Sequence, residues 1–230
     1  PPRFPVIKTS RGLVGSLPKE AWLETAKASL HAAANHDDPD AARILCYTNR
    51  SLEALVPHAR KAIHGDMADQ LPVLPGEVLI SLKAVMAPAS RNGPLVGEEP
   101  DMVLGTNREL QVRDVTPEKC DLGTFGLTGD SDWNVPVIDT LIVEAKVGEL
   151  ELELRLLPSV GTEARRLLDE TLKRLSGKAR DIGGREGAPF WRSFFLIRDA
   201  FASLGPAAVL TVHRSQGSSF GEVFIAPDVF

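Results

Sequence analysis

The stretch AAVLTVHRSQGSSFGEVFIAP, Ala207 to Pro227, decides how the rest of the chain is read. An apolar run, Ala207–Leu210, leads into Thr211-Val212-His213-Arg214-Ser215-Gln216-Gly217-Ser218-Ser219, and a second apolar run, Val223-Phe224-Ile225, follows. Short apolar runs on either side of a Gly/Ser-rich polar turn read as buried parallel strands flanking a loop. That loop carries hydroxyls, an imidazole, a carboxamide and a glycine. Such groups suit phosphate and sugar contacts at the carboxyl end of a strand, where open α/β sheets place their ligands. Taken alone, the stretch predicts an α/β domain with a polar site.

A second βα unit lies near the other end. ARILCY, Ala42 to Tyr47, is a buried strand by composition, and Thr48-Asn49-Arg50-Ser51 follows it. Leu52, Leu55, Val56, Ala59 and Ile63 then share one helical face. Asn49 or Ser51 is the expected helix cap, and a helix N-terminus at such a turn is suited to an anion. Upstream, Ala21, Trp22, Ala26, Leu30 and Ala33 give residues 19–34 a helical pattern. The polar run Asn35–Asp40 ends it, and His36 with its acidic neighbours reads as a solvated turn rather than a metal site. Pro1 to Pro18 shows no periodicity and reads as an irregular lead-in.

From Glu77 to Pro158 the pattern turns to β. Val78–Val85 is a strand, and residues 88–94 are a polar turn with Arg91-Asn92-Gly93. Within 101–115, Leu110, Val112 and Val115 alternate with polar residues. Val137–Val147 and the Leu/Glu alternation through Leu156 form two more strands around the Val147-Gly148-Glu149 turn. Several short strands after a βα unit predict a small inserted β barrel. Helical periodicity returns over 161–175 through Ala164, Leu167, Leu168, Leu172 and Leu175. Asp169-Glu170 lies inside this amphipathic helix, so it is read as solvated. Residues 176–187, with four glycines, read as a flexible loop. Phe190–Leu204 reads as an aromatic helix, with Trp191, Phe194, Phe195, Ile197, Phe201 and Leu204 mostly core and Gly205-Pro206 as its stop.

Composition narrows the classes. At 230 residues, 43% hydrophobic and 25% charged, the chain has the make-up of a globular protein with one large or two small domains. It has no long apolar run of membrane-spanning length and no signal-peptide pattern at its start, and its two cysteines, Cys46 and Cys120, are far apart. Cys46 sits in a strand-like run, so buried thiols and a reducing cytoplasm are expected. The net charge of −5 argues against coating of nucleic acid by bulk charge. It allows a local groove in which hydroxyls, backbone amides and a few arginines touch phosphates.

The residues of the first stretch carry a resemblance. Thr211, His213, Arg214, Ser215, Gln216, Gly217, Ser218 and Phe220 resemble motif V of superfamily 1 helicases of the RecD- and Dda-like 5′-to-3′ group, with a UvrD-like C-terminal domain. Thr48, Asn49, Arg50, Arg60 and Gly65 are similar to the start of the second RecA-like domain of those motors. Gly105-Thr106-Asn107-Arg108-Glu109-Leu110-Gln111-Val112 looks, more loosely, like part of their inserted SH3-like subdomain.

The resemblance implies a fold class and a division of the chain. The fold is α/β: a truncated RecA-like parallel sheet with helices, plus a small SH3-like β barrel. Residues 1–20 are the lead-in, 21–75 and 205–230 the RecA-like part, 76–160 the β insert and 161–204 a helical return. It also implies roles. Thr48, Asn49, Thr211, His213 and Ser215 would contact single-stranded DNA, with simple helix capping the alternative for Thr48 and Asn49, and Arg214, Gln216 and Gly217 would face the ATP cleft. The partners are single-stranded DNA, ATP with Mg²⁺, and a first RecA-like domain of the same parent chain. No membrane is implied, and DNA repair or recombination is the expected setting. No GxxxxGK[ST] phosphate loop and no strand ending in an Asp-Glu pair occurs in these residues. Those parts, the Mg²⁺ ligands among them, and motif VI are therefore expected outside them, and this chain alone is expected not to hydrolyse ATP. The rival is a non-enzymatic single-stranded-DNA-binding or interaction module derived from such a domain. A Ser/His hydrolase built on His213 is disfavoured, since no GxSxG elbow is present.

Overall fold

Ala42–Cys46 is the middle strand of a three-stranded sheet, and its sequence explains why. Both faces of the run are covered: Ala42, Ile44 and Cys46 belong to an apolar core, while Arg43 is also buried. A strand buried on both faces needs a continuous apolar run and parallel neighbours. The computed structural model describes residues 6–10, 12–89, 102–125 and 135–230. The chain is mixed α/β and divides into two units, Pro1–Leu71 with Ala207–Phe230, and Pro72–Pro206.

In the first unit, β1 (Ile7–Thr9) and β2 (Gly12–Val14) form an exposed antiparallel ribbon. The lead-in expected to be irregular thus carries paired backbone, although none of the side chains among its described residues is buried. Helix α1 (Lys19–Asn35) buries Ala26, Leu30 and Ala33. After the central strand β3 (Ala42–Cys46) comes α2 (Asn49–His64). Leu52, Leu55, Val56, Ala59 and Ile63 all pack into the core, as their spacing requires. Arg60 donates to Ala68 O and Leu71 O, both at 3.0 Å, and staples the turn after α2.

The second unit opens with β4 (Val78–Ser81) and β5 (Val85–Met86), so the single strand expected over 78–85 is broken. Then come β6 (Met102–Leu104), β7 (Glu109–Asp121), β8 (Val137–Val147) and β9 (Leu150–Arg155). Asn107, in the turn before β7, has φ 60°, a left-handed conformation that Asn tolerates better than most residues. The turn expected over 88–94 lies mostly outside the described residues.

Two helices follow, α3 (Glu163–Ile182) and α4 (Gly184–Asp199), and they correct the flexible loop expected over 176–187. Its glycines serve the helices. Gly183 caps α3 at φ 66°. A Cβ on Gly187 would lie 2.5 Å from Ala179 O, so only glycine allows the helices this approach. Asp169 and Glu170 pair on the surface with Arg165 and Arg166. The aromatic helix ends at Asp199; Phe195 is exposed rather than core, and Leu204 lies in β10 (Leu204–Pro206). The sheet order is β10-β4-β7-β8-β9, all antiparallel. Leu157 N donates to Ala202 O (2.9 Å) and Ala202 N to Arg155 O (2.7 Å), tying the end of β9 to the chain entering β10. The sheet therefore closes on itself at that end, around Leu79, Leu110, Val112, Val143 and Leu154.

The chain then completes the first unit with β11 (Val209–Thr211) and β12 (Glu222–Ile225). Both pair in parallel with β3, giving the order β11-β3-β12. The parallel arrangement follows the sequence reading, but burial is uneven. β11 is buried throughout, whereas Val223 and Ile225 on β12 are each 42% exposed. Gly221 lets the loop return beside β3: a Cβ there would stand 2.8 Å from Ala41 O.

Candidate functional site at the carboxyl edge of the parallel sheet

Register builds the site. Thr211 pairs with Cys46 across parallel strands, and Val212 N donates to Cys46 O at 2.9 Å. The two strands therefore end level, and the Thr48-Asn49-Arg50 turn and the His213–Gly217 loop leave the same sheet edge side by side. Parallel strands put their carboxyl ends on one edge, which is where α/β sheets expose loop groups to ligands. The residues singled out in two distant stretches of sequence are thus brought together.

In the turn, the helix cap is Thr48, as the capping alternative has it, and neither Asn49 nor Ser51: its Oγ1 accepts from Ser51 N at 3.1 Å. Asn49 and Arg50 are exposed in the first turn of α2. The anion expected at this helix N-terminus is supplied by the chain itself. Asp228 accepts from Tyr47 N (3.2 Å) and Thr48 N (2.9 Å), and from Thr48 Oγ1 at 2.8 Å. Thr48 has one hydroxyl proton, and the charged, nearer acceptor takes it over Ser51 Oγ at 3.0 Å. Burial pushes the Asp228 carboxyl upward, but hydrogen bonds from Ser51, Thr48 and Tyr47 outweigh it and hold it at about 2. Nothing in the sequence reading singled out Asp228. Its only signal is a lone acid after the second apolar run.

The loop is built differently. Thr211 is only 7% exposed, and its carbonyl accepts from Arg214 N and Ser215 N in a tight turn. Ser215 Oγ is committed to Val212 O at 2.9 Å. His213, Gln216 and Gly217 are exposed, and Gly217 has φ 86°, a left-handed conformation that only glycine adopts without strain. Arg214 is half-buried, and its Nη1 makes no hydrogen bond among the described residues. A buried guanidinium nitrogen without an acceptor is a costly arrangement.

Tyr47, which the sequence pattern places in the buried strand, is 58% exposed, and its ring centroid lies 6.2 Å from that of His213. Beneath it Cys46 is fully buried; burial and the negative charge of Asp228 push its thiol up to about 11. Cys120 is also buried and free, and is likewise raised to about 11, chiefly by burial. Among the described residues no group of three or more His, Cys, Asp or Glu converges as a metal site. His36 instead bonds the Ala32 carbonyl through Nδ1 at 2.7 Å. Among them, too, no helix is long and apolar enough to cross a membrane.

Compared with known families and with curated proteins, the chain matches no family model and no curated sequence.

Proposed function

We propose that this chain forms the second RecA-like domain, with an SH3-like β insert, of an ATP-driven superfamily 1B motor that moves 5′-to-3′ along single-stranded DNA. The observation that carries the reading is the level pairing of Cys46 with Thr211, which sets both sequence-similar loops on one sheet edge. His213, exposed there, is the group placed to meet the DNA backbone. An imidazole bonds phosphate without reading base edges, as a motor that accepts any sequence requires. Arg214, Gln216 and Gly217 fit the phosphates of ATP·Mg²⁺: a guanidinium nitrogen lacking an acceptor, an exposed carboxamide, and a glycine that leaves room beside the backbone. The nucleotide supplies the free energy for movement; these residues bind and orient it against a first RecA-like domain. Thr48 and Ser215 contribute through the shape of their turns, since their hydroxyls are already engaged.

The test is oligo-dT binding by this chain, titrated with salt. Affinity should fall steeply as salt rises, since phosphate contacts release counterions. His213→Ala should weaken binding about two- to tenfold, the worth of one hydrogen bond. In a full-length parent, DNA-stimulated ATP turnover should fall with it. Salt-insensitive binding, or binding and turnover indifferent to His213→Ala, would overturn the reading. Oligo-dT binding by a natural product of this size with no ATP dependence would favour the non-enzymatic module instead.

A further inference from the structure

Tyr47 is the chain's single tyrosine, and it stands where the buried strand β3 emerges. Strand alternation turns Cys46 into the core and Tyr47 outward. The two peptide N–H groups that bracket its Cα, those of Tyr47 and Thr48, are both held by the Asp228 carboxylate. The backbone that carries the ring is therefore pinned while the ring itself stays in solvent. Beside it stands the exposed imidazole of His213, inclined at 45° to the tyrosine ring rather than stacked flat upon it. The result is a pre-positioned aromatic face next to the residue proposed to meet the backbone.

The same geometry removes the competing ligand group at this turn. Thr48 offers neither its N–H nor its hydroxyl, and the carboxylate of Asp228 that engages them repels a phosphate. What the β3 end does offer is a ring. Aromatic stacking suits any base, because every base has a π-face, so it serves sequence-independent binding.

We propose that Tyr47 is a nucleobase-stacking residue: it takes one base of single-stranded DNA on its ring while His213 meets the neighbouring phosphate. Asp228 acts as a positioning residue by fixing the Tyr47 backbone. This rests on the reading that the chain binds single-stranded DNA.

The experiment compares oligo-dT with an abasic oligomer of equal length and charge, for the wild-type chain, Tyr47→Ala and Tyr47→Phe. Tyr47→Ala should weaken oligo-dT binding about five- to 150-fold, the range of one lost stack, and leave abasic binding unchanged. Tyr47→Phe, which keeps the ring, should bind like wild type. The unfolding midpoint of Tyr47→Ala should stay near that of wild type, because the side chain is exposed. Equal losses on both oligomers, or no loss on either, overturn the stacking role. In the second case a His213→Ala effect on both oligomers leaves the underlying reading standing. A wild-type chain that binds neither oligomer sinks both. Competition by an aromatic-rich peptide with unchanged oligo-dT affinity in Tyr47→Ala assigns the ring to a protein partner and also overturns the proposal.

Discussion

Two loops leave the same edge of the parallel sheet in opposite states. The β3–α2 turn is satisfied from within: Thr48 caps its helix, and Asp228 takes the N–H groups of Tyr47 and Thr48. The β11–β12 loop exposes His213, Gln216 and Gly217 and keeps an Arg214 nitrogen without an acceptor among the described residues. Both loops hang on β3 and its pairing with β11, so the sheet is common and the difference lies in what each loop's polar groups meet. Polar groups that find partners at home contribute to stability; those that do not are the ones a ligand can engage. Two stretches of similar polar composition therefore differ in what they leave available: the first spends its polar groups on the fold, and the second keeps His213 and Gln216 exposed.

The largest effect should come from the support they share. Ile44 is fully buried in the middle of β3, and Ile44→Ala should cost about 2–5 kcal/mol, read from denaturant unfolding. It should loosen both loops together, and a change under 1 kcal/mol would mean that the loops do not depend on β3. Asp228→Asn comes next, because it touches the satisfied turn alone. It should cost about 1 kcal/mol at neutral pH, the worth of charge-assisted bonds at a partly exposed site. The pH dependence has a definite sign. The folded carboxyl sits at about 2 against an ordinary 3.8, so its contribution is complete above about pH 4 and fades as pH falls through 2. The gap between wild type and Asp228→Asn should close over that window. A gap that stays constant from neutral pH to pH 2 would separate Asp228 from the turn. Smallest should be the net effect of Arg214→Ala on stability, within about 1 kcal/mol of zero, since relief of the unsatisfied buried donor offsets the lost packing of the half-buried stem. Its effect on ligand should be the opposite of Asp228→Asn: little loss of fold and a clear loss of anion affinity.

Much of this was legible in the residues. The apolar spacing of α2 and of α1 marked the buried faces, and the strands at 137–147 and 150–155 lay where alternation put them. The glycine-rich run after Leu175 is helical where its composition predicts a loop, because glycine signals looseness by default. Here Gly183 and Gly187 serve a helix end and a close helix–helix approach, two uses that depend on a neighbour in space. The exposure of Tyr47 is hidden for a similar cause: an apolar run does not announce which of its members faces out when the strand ends.

The sequence by itself determined the periodicities, and with them the core faces, the strand–turn–helix unit at Ala42–His64 and the polar loop after Thr211. Those features depend on neighbours a few residues apart, whose geometry is set by local backbone repeat. Only the tertiary structure decided that Thr48 is spent on Asp228, that Thr211 is buried, and that Tyr47 and His213 share an edge. Each depends on residues more than 160 positions apart in the chain, joined by the parallel register of β3 with β11 and by hydrogen bonds to Asp228. No local pattern encodes such a pairing, because burial and hydrogen-bond competition are settled only once the strands have met.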